Sequence, residues 1–220
     1  MKIPGKHTLI LADDHILLRD ALATLIDSFT NFKVIGLASD GTGVMENINK
    51  NGAVDIIILD LNMPTMDGYE TTRWLAQNHP EVKILILTMY DSDIALIRLL
   101  QEGVRGFLKK DINPDELRNA LETVVEQGYY YTNSTSNKIA ALFKKSKGES
   151  SNLEKNTLTE KEIDFLKLAS TDMTYKEIAM QLNLSTRVVD NYREALFEKL
   201  NVKSRVGLAT YAIKNGIVSF

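Results

Sequence analysis

Three carboxylates, a hydroxyl and an ammonium follow short apolar runs in the first half of the chain. The residues are Asp13, Asp14, Asp60, Thr88 and Lys110. If the apolar runs form parallel strands, the carboxyl ends of those strands meet at one edge of the sheet, where open α/β folds bind their ligands. We therefore expect the five side chains to share one pocket.

This set of side chains is suited to phosphoryl transfer. Clustered carboxylates repel one another unless a cation lies between them, and carboxylate, carbonyl and water oxygens are the ligands that suit Mg²⁺. A carboxylate beside Mg²⁺ can accept a phosphoryl group, because the metal and an ammonium neutralise charge on the transferring oxygens. Taken singly, Asp14 could cap a helix and Lys110 could be a solvated surface lysine. Their joint placement favours the phosphoryl site.

The spacing of apolar residues predicts the elements that hold this pocket. Runs rich in Ile, Leu and Val predict buried strands, and they alternate with stretches whose apolar residues recur every three or four positions, as in a helix. The predicted strands cover 8–12, 33–38, 55–59, 82–87 and 106–109. Five strands alternating with helices indicate an α/β domain with a doubly wound five-stranded parallel sheet.

The composition changes twice along the chain and divides it into three parts. Residues 1–132 carry the α/β pattern. Residues 133–156 are rich in Ser, Thr, Asn, Lys and Gly, which indicates a linker, with a possible short helix over 138–143. Residues 157–220 carry only helical patterns and predict a second, smaller all-α domain.

Overall composition and charge narrow the class of protein. The 220 residues are 44% hydrophobic and 25% charged, as in an ordinary globular protein. The chain has no Cys, which excludes disulfides and thiolate zinc sites and fits a reducing cytoplasm. No apolar run is long enough to span a bilayer, so we expect a cytoplasmic protein without a membrane partner. A net charge of −3 gives the chain no strong electrostatic attraction to nucleic acid.

Three segments of the first part resemble the receiver domain of bacterial two-component systems. They are 11–15 (LADDH), 60–68 (DLNMPTMDG) and 103–111 (GVRGFLKKD). The resemblance covers about the first 130 residues and implies a flavodoxin-like receiver with Asp60 as the phosphoacceptor. The Mg²⁺ ligands that it implies are Asp13, Asp14, Asp60 and the backbone carbonyl of Asn62.

The same resemblance implies a switch that senses the phosphoryl group through Thr88, Phe107 and Lys110. Of the two adjacent lysines, the family pattern selects Lys110, and strand alternation turns Lys109 to the other face. Phe107 has no hydroxyl, so its part in the switch must be steric. Met89 stands where many receivers have a smaller residue, and one hypothesis is that it crowds attacking water and prolongs the phosphorylated state.

The C-terminal part carries a second motif. Residues 174–182 and 185–200 predict two helices joined by a short turn, which is the helix-turn-helix pattern. One face of the second helix is apolar, and its opposite, polar face could enter a DNA major groove. The residues that we expect to contact DNA are Lys176, Thr186, Arg187, Asp190, Asn191, Arg193, Glu194, Lys203 and Arg205. From the pattern alone, a four-helix domain that binds protein is nearly as good an interpretation.

This part resembles the LuxR-type domain of the NarL/FixJ response regulators. The matching segments are 158–162 (LTEKE), 176–179 (KEIA) and 198–205 (EKLNVKSR). The resemblance implies double-stranded DNA as a partner and a sensor histidine kinase, or a phosphotransfer protein, as the phosphoryl donor. It also implies a transcription regulator rather than an enzyme. We expect a homodimer on phosphorylation, because a small DNA-binding domain on a flexible linker gains affinity when two copies are linked.

Two other functions stay open at this point. Relatives often have a cation where this chain has Asp190 and Glu194, so the regulator could act through protein contacts instead of DNA. Alternatively, Asp60 could be the nucleophile of an aspartyl-phosphate hydrolase. Such enzymes usually need an acidic residue two positions after the nucleophile, and Asn62, which stands there, cannot transfer a proton.

Overall fold

The chain divides into two compact units, an N-terminal unit built on a β-sheet and a C-terminal unit built from helices. The structure, a computed structural model, describes residues 5–88, 93–146, 158–215 and 217–218. Met89 and residues 147–156 of the predicted linker lie outside the described residues, so their predicted roles stay predictions.

A five-stranded parallel sheet forms the centre of the N-terminal unit. Its strands are β1 His7–Ala12, β2 Phe32–Ala38, β3 Ile56–Asp60, β4 Lys83–Thr88 and β5 Gly106–Lys109. They pair in the order β2-β1-β3-β4-β5, and every pairing is parallel. Every residue of the central strand β3 is buried, as expected for a parallel sheet that is covered on both faces. The predicted fold class is confirmed.

Five helices alternate with these strands along the chain. They are α1 Ile16–Asp27, α2 Gly41–Asn51, α3 Gly68–Asn78, α4 Asp93–Gln101 and α5 Pro114–Gln127. Asp40, Asp67 and Asn113 cap α2, α3 and α5 by accepting a hydrogen bond from a backbone N–H of the first turn. Helix α5 ends at Gly128, whose φ of 86° is in the left-handed region that a residue without Cβ adopts readily.

One face of the sheet shares an apolar core with α1 and α5. Strand residues Leu9, Ile58 and Leu85 and the α5 residues Leu121 and Val124 belong to the same buried cluster, and none is more than 2% exposed. Burying one such side chain stabilises the fold by about 1.5–3 kcal/mol relative to leaving it in water. This packing fixes the strands rigidly, and the strand ends therefore hold their polar residues in fixed positions.

Two predicted strand ends differ from the observed ones by one residue. Asp60 and Thr88 are the last residues of β3 and β4, whereas the predicted strands stop before them. Asp60 stays in register with Leu87 of the neighbouring strand. A polar residue ends an apolar run in the sequence, but the backbone ladder depends on main-chain groups and continues through it.

The segment that follows α5 is more helical than the sequence predicts. Helix α6 covers Asn133–Ser146, which is longer than the short helix expected over 138–143. Before it, the ring of Tyr129 stacks on that of Tyr131, with 5.7 Å between the ring centroids. The predicted bounds of the linker stay a prediction.

In the N-terminal unit, Trp74 of α3 packs against His79, at 5.2 Å between the ring centroids.

Between residues 158 and 215, four helices form the C-terminal unit. They are α7 Glu160–Ala169, α8 Tyr175–Gln181, α9 Thr186–Lys199 and α10 Arg205–Lys214. Each begins after a Thr or Ser whose side chain caps it, at Thr159, Thr174, Ser185 and Ser204. Phe165, Val189 and Leu208 lie at the centre of its core and are fully buried. The predicted all-α unit is confirmed. Among the described helices, none has both the length and the apolar character that a membrane span requires.

Candidate functional site

The carboxyl ends of β1, β3 and β5 bring Asp13, Asp60 and Lys110 into contact. Lys110 Nζ donates a hydrogen bond to Asp60 Oδ2 at 2.8 Å and lies 2.8 Å from Asp13 Oδ2. Both aspartates are only 2% exposed. The backbone N–H of Asp13 donates to Ala38 O at 3.1 Å, which keeps Asp13 tied to the sheet. Thus two carboxylates and one ammonium share a buried pocket.

The buried environment of Asp60 disfavours the ionised form of its carboxyl group. Burial raises the pKa of Asp60 above its ordinary value, although the hydrogen bond and charge of Lys110 act in the opposite direction. The backbone N–H groups of Leu61 and Asn62 also donate to the Asp60 carboxylate, the first at 2.8 Å. For Lys110, burial lowers the pKa, but the bonds to Asp13 and Asp60 outweigh it and the pKa is raised. Lys110 therefore stays an ammonium.

Asp14 and His15 lie at the mouth of this pocket. The Asp14 side chain is 39% exposed, in contrast to that of Asp13. His15 Nδ1 lies 3.0 Å from Asp13 Oδ1 and 2.8 Å from Asp14 Oδ1. One ligand atom each from Asp13, Asp14, His15 and Asp60 lie within 4.8 Å of one another. The predicted carboxylates are thus brought together, whereas His15 was missed because one His beside an acidic pair predicts no geometry.

The residue that precedes α1 decides whether Asp14 caps this helix, which the sequence left open. The N-cap of α1 is His15, and its side chain makes no capping hydrogen bond. Asp14 therefore does not act as the helix cap. Its carboxylate is instead oriented so that Oδ1 contacts His15.

The loop from Asn62 to Gly68 closes over the end of β3. The Gly68 N–H donates to Leu61 O at 2.9 Å, and a Cβ at Gly68 would lie 2.3 Å from Asp60 O, which is impossible without a shift of backbone. Gly68 therefore allows α3 to begin against the strand that carries Asp60. Within the loop Thr65 has a φ of 61°, which a β-branched residue rarely adopts.

The other residues of the predicted switch lie on β4 and β5. Thr88 ends β4, is buried at 7% exposure, and its carbonyl accepts a hydrogen bond from the Lys110 N–H at 3.2 Å. Phe107 is partly buried, and its ring centroid lies 6.2 Å from that of Tyr131. Lys109 is exposed, as strand alternation predicts. The structure thus brings Lys110, and not Lys109, to Asp60.

A second candidate surface lies on the helix-turn-helix of the C-terminal unit. Helices α8 and α9 are joined through Asn183, whose φ of 53° allows a tight turn, and Leu184 N–H donates back to Ala179 O at 2.8 Å. Val189 and Leu196 of α9 are fully buried in the core. The predicted DNA-contacting residues that are exposed are Lys176, Thr186, Arg187, Asn191, Glu194 and Lys203. The start of α9 therefore presents polar side chains to solvent.

Arg193 and Arg205 have contacts within the unit. Arg193 Nη1 lies 2.8 Å from Asp190 Oδ1, and its Nη2 lies 3.4 Å from Glu194 Oε1. The guanidinium of Arg205 donates to Ala169 O at 2.9 Å and Thr171 O at 2.8 Å. Both guanidinium groups also lie over the Tyr175 ring, 5.3 and 5.2 Å from its centroid. Sequence reasoning missed these contacts because Tyr175 is distant in sequence from both arginines.

Comparisons with known proteins match both units. Residues 9–122 match the response regulator receiver domain, and residues 156–212 match the luxR family of bacterial regulatory proteins. The chain belongs to the response regulators with a LuxR-type DNA-binding domain. The regulator is similar to the response regulator UvrY of Escherichia coli strain K12, with 31% identity over 94% of both chains. It is also similar to the oxygen regulatory protein NreC of Staphylococcus carnosus, with 28% identity over 96% of this chain and 99% of the relative.

Solved structures give the same result for the fold. The regulator is similar to RcsB of Salmonella enterica serovar Typhimurium, a structure that holds promoter DNA and a phosphomimetic. The TM-score is 0.68, with 25% identity over 94% of this chain and 98% of RcsB. The regulator is thus a two-component response regulator with a LuxR-type DNA-binding domain, and its receiver implies a kinase partner. Its acidic pocket has the oxygen ligands that suit Mg²⁺.

Proposed function

We propose that the regulator is activated by phosphorylation of Asp60 and then controls transcription by binding double-stranded DNA as a dimer. The observation that carries the first half is the buried contact of Lys110 Nζ with Asp60 Oδ2 and Asp13 Oδ2, both at 2.8 Å. An ammonium that already touches the acceptor oxygen is placed to neutralise charge on an arriving phosphoryl group. Because its partner is DNA, we place the regulator in the cytoplasm.

In this proposal the chemistry is carried by the carboxylate of Asp60. One Asp60 oxygen forms a bond to phosphorus while the bond from phosphorus to the donor nitrogen, on a kinase or phosphotransfer histidine, breaks and leaves its electron pair on that nitrogen. The backbone N–H groups of Leu61 and Asn62 hold the carboxylate in position. The regulator is then a phosphorylation switch rather than a hydrolase, because Asn62 offers no proton for acid–base catalysis.

The donor set fits Mg²⁺ as the cofactor. We propose that Asp13, Asp14, Asp60 and the Asn62 carbonyl hold it, since hard oxygen ligands are what this ion selects. When bound, Mg²⁺ would neutralise negative charge on the phosphoryl oxygens. The Thr88 hydroxyl and the Phe107 ring would then respond to the phosphoryl group, Thr88 through a hydrogen bond and Phe107 through a change in packing.

The proposed phosphoacceptor is tested by intact-mass measurement after incubation with a small phosphodonor and Mg²⁺. We expect one phosphoryl adduct on the wild type and none on Asp60→Asn. The control is Asp20→Asn, which removes an exposed carboxylate of α1 and should leave the adduct unchanged. An adduct that persists in Asp60→Asn would refute the assignment, and equal labelling with and without a chelator would refute the metal requirement.

The second half of the proposal concerns the exposed start of α9. Arg187 and Asn191 can reach base edges in a major groove, while Lys176 and Lys203 can contact phosphates. RcsB, which shares the fold, is described in complex with promoter DNA, and this supports the same partner here. Contacts of Arg193 and Arg205 with DNA stay predictions, because their guanidinium groups already have partners.

Selection of genomic fragments by the phosphorylated regulator tests this half. We expect recovery of a limited set of fragments, and loss of that set for Asn191→Ala. If no fragment is enriched over random DNA, the regulator acts through protein contacts instead. That alternative is motivated by Asp190 and Glu194 on α9, which are unusual on a helix that meets phosphates.

A further inference from the structure

We infer that Arg19 is a positioning residue for the cation site, because its guanidinium holds the main chain of Asp13 in place. This role rests on the proposed cation ligands, and the guanidinium acts through Asp13 without touching the ion. The folded regulator then needs Arg19 for its affinity for the cation as well as for its stability.

The Arg19 guanidinium joins the ends of two paired strands, β1 and β2. Its Nη1 donates to the carbonyls of Asp13 and Ala38, each at 3.2 Å, and to Ser39 Oγ at 2.7 Å. Asp13 directly follows β1, and Ala38 is the last residue of β2. The Arg19 side chain is only 12% exposed. Most of it is therefore removed from water at the edge of the sheet where the pocket lies.

These three oxygen atoms are closer to the guanidinium than the carboxylate of Asp20. The ion pair with Asp20 is long, with 3.5 Å from Nε to Oδ1, and the Asp20 side chain is 55% exposed. Exposed pairs of this kind contribute little to stability. A largely buried guanidinium needs acceptors for its N–H groups, and the two strand ends supply them. The positions of the strand ends and of the guanidinium are thus coupled.

Arg19 holds the turn that carries the Asp13 carboxylate from two sides. Its main-chain N–H donates to His15 O at 3.0 Å, and its side chain donates to Asp13 O. Between these points the His15 N–H donates to Asp13 Oδ1 at 2.8 Å. The Asp13 N–H is bonded to Ala38 O at 3.1 Å. Loss of the guanidinium would release the Asp13 carbonyl and leave the carboxylate free to leave its position.

The same guanidinium is connected to the loop that carries Asn62. Ser39, which accepts its shortest bond, lies two residues before Gly41. The Gly41 N–H donates to Met66 O at 2.9 Å, in the loop between β3 and α3. A Cβ at Gly41 would lie 2.7 Å from Met66 Cγ, so the two segments are closely packed. Arg19 therefore braces both segments that supply the proposed ligands.

The charge of Arg19 and its position predict opposite effects on cation binding. A guanidinium repels a nearby metal ion, so loss of the charge alone would strengthen binding. Loss of the bonds to the Asp13 main chain would weaken binding, because groups that orient metal ligands typically contribute about 10–100-fold to metal affinity. The direction of the change therefore separates positioning from electrostatics.

Binding of Mn²⁺ to the full chain tests the inference, since this ion takes the same oxygen ligands as Mg²⁺. The electron paramagnetic resonance signal of free Mn²⁺ counts the ions left unbound. We expect the dissociation constant to increase by at least about tenfold in Arg19→Met. Arg118→Met is the matched control, because it removes the same charge from a guanidinium that lies over Phe29, 4.6 Å from the ring centroid. It should leave the constant nearly unchanged.

Ser39→Ala provides a second test that does not depend on the folding of Arg19→Met. Ser39 is exposed, and the substitution removes the acceptor of the 2.7 Å bond. We expect a smaller increase of the dissociation constant and little change of the melting temperature. Adding Ser39→Ala to a folded Arg19→Met should increase the constant little further, because both substitutions act through one guanidinium.

The inference is overturned if folded Arg19→Met binds Mn²⁺ as tightly as the wild type or more tightly. A lower melting temperature with unchanged affinity would then mean that Arg19 serves stability alone. An equal loss of affinity in Arg118→Met overturns it too, and so does an unchanged affinity in Ser39→Ala if Arg19→Met does not fold. If the wild type itself binds no Mn²⁺, the proposed cation site fails, and the role of Arg19 fails with it.

Discussion

At the scale of single residues, Glu162 links charge to the stability of the C-terminal unit. It caps α7 together with Thr159, and its carboxylate bonds to Lys199 Nζ at 2.9 and 3.0 Å. Burial raises the pKa of Glu162, but the Thr159 and Lys199 bonds outweigh it and hold the pKa below its ordinary value. A lowered carboxyl pKa stabilises the fold above the unfolded value of 4.5 and loses this effect as the pH falls through the folded value.

We expect the melting temperature of the C-terminal unit to decrease as the pH is lowered below about 4.5. In Glu162→Gln the capping box survives, because Gln also serves in that position, but the ion pair is lost. We expect this variant to be about 1 kcal/mol less stable at neutral pH, and its melting temperature to fall less steeply on acidification. Circular dichroism melts between pH 3 and 7 measure both effects. Parallel curves for variant and wild type would show that Glu162 does not contribute.

Substitution of Glu194 tests whether an acidic residue on the recognition helix repels DNA phosphates or contacts a base. Its side chain is 70% exposed, and its contact with Arg193 at 3.4 Å is long, so the charge can act on a bound duplex. In Glu194→Gln we expect tighter binding to random DNA, because the substitution removes a negative charge that repels the DNA phosphates. On the specific site we expect a smaller gain, or a loss of about 1–3 kcal/mol if Glu194 accepts a hydrogen bond from cytosine. Titrations of both duplexes at several salt concentrations measure this, and equal gains would mean that Glu194 reads no base.

At the scale of elements, the loop between β3 and α3 holds backbone strain beside Asp60. Thr65 adopts a φ of 61°, and a left-handed conformation costs most residues about 1–2 kcal/mol, whereas Asn tolerates it. We expect Thr65→Asn to stabilise the N-terminal unit by about 1 kcal/mol, measured by urea unfolding. Thr30→Asn is the matched control, because Thr30 is exposed and its φ is not positive. Equal effects of the two variants would contradict the strain argument.

At the scale of the whole molecule, two-site binding follows from the small size of the DNA-binding unit. Helix α9 alone offers few exposed side chains to a groove, so a second linked copy would raise affinity through effective concentration. We expect the phosphorylated wild type to sediment as a dimer on DNA whose half-sites lie about ten base pairs apart. Asp60→Asn under the same conditions should stay monomeric. A monomer in both cases, even on DNA, would rule out this form of activation.

The sequence was most informative where chemistry and topology coincide. Asp13, Asp60 and Lys110 could be placed in one pocket because parallel strand ends must meet, and the structure places Lys110 Nζ 2.8 Å from a carboxylate oxygen of each aspartate. The contacts of the His15 ring with Asp13 and Asp14 and the φ of Thr65 could not be predicted, because each depends on the path of a loop rather than on periodicity. Likewise, the stacking of Arg193 on Tyr175 joins two helices whose packing no local pattern encodes.

The packing of Trp74 against His79 has a consequence for optical measurements. Trp74 is the sole tryptophan of the chain and lies on α3, in the N-terminal unit. When fluorescence is excited at a wavelength that tryptophan absorbs and tyrosine does not, the emission therefore reports only on the unit that carries Asp60. The tyrosines of the C-terminal unit do not contribute to it. Comparing that emission with far-ultraviolet ellipticity during one unfolding experiment resolves the two units without a label. The order in which they melt can then be read from the unmodified protein.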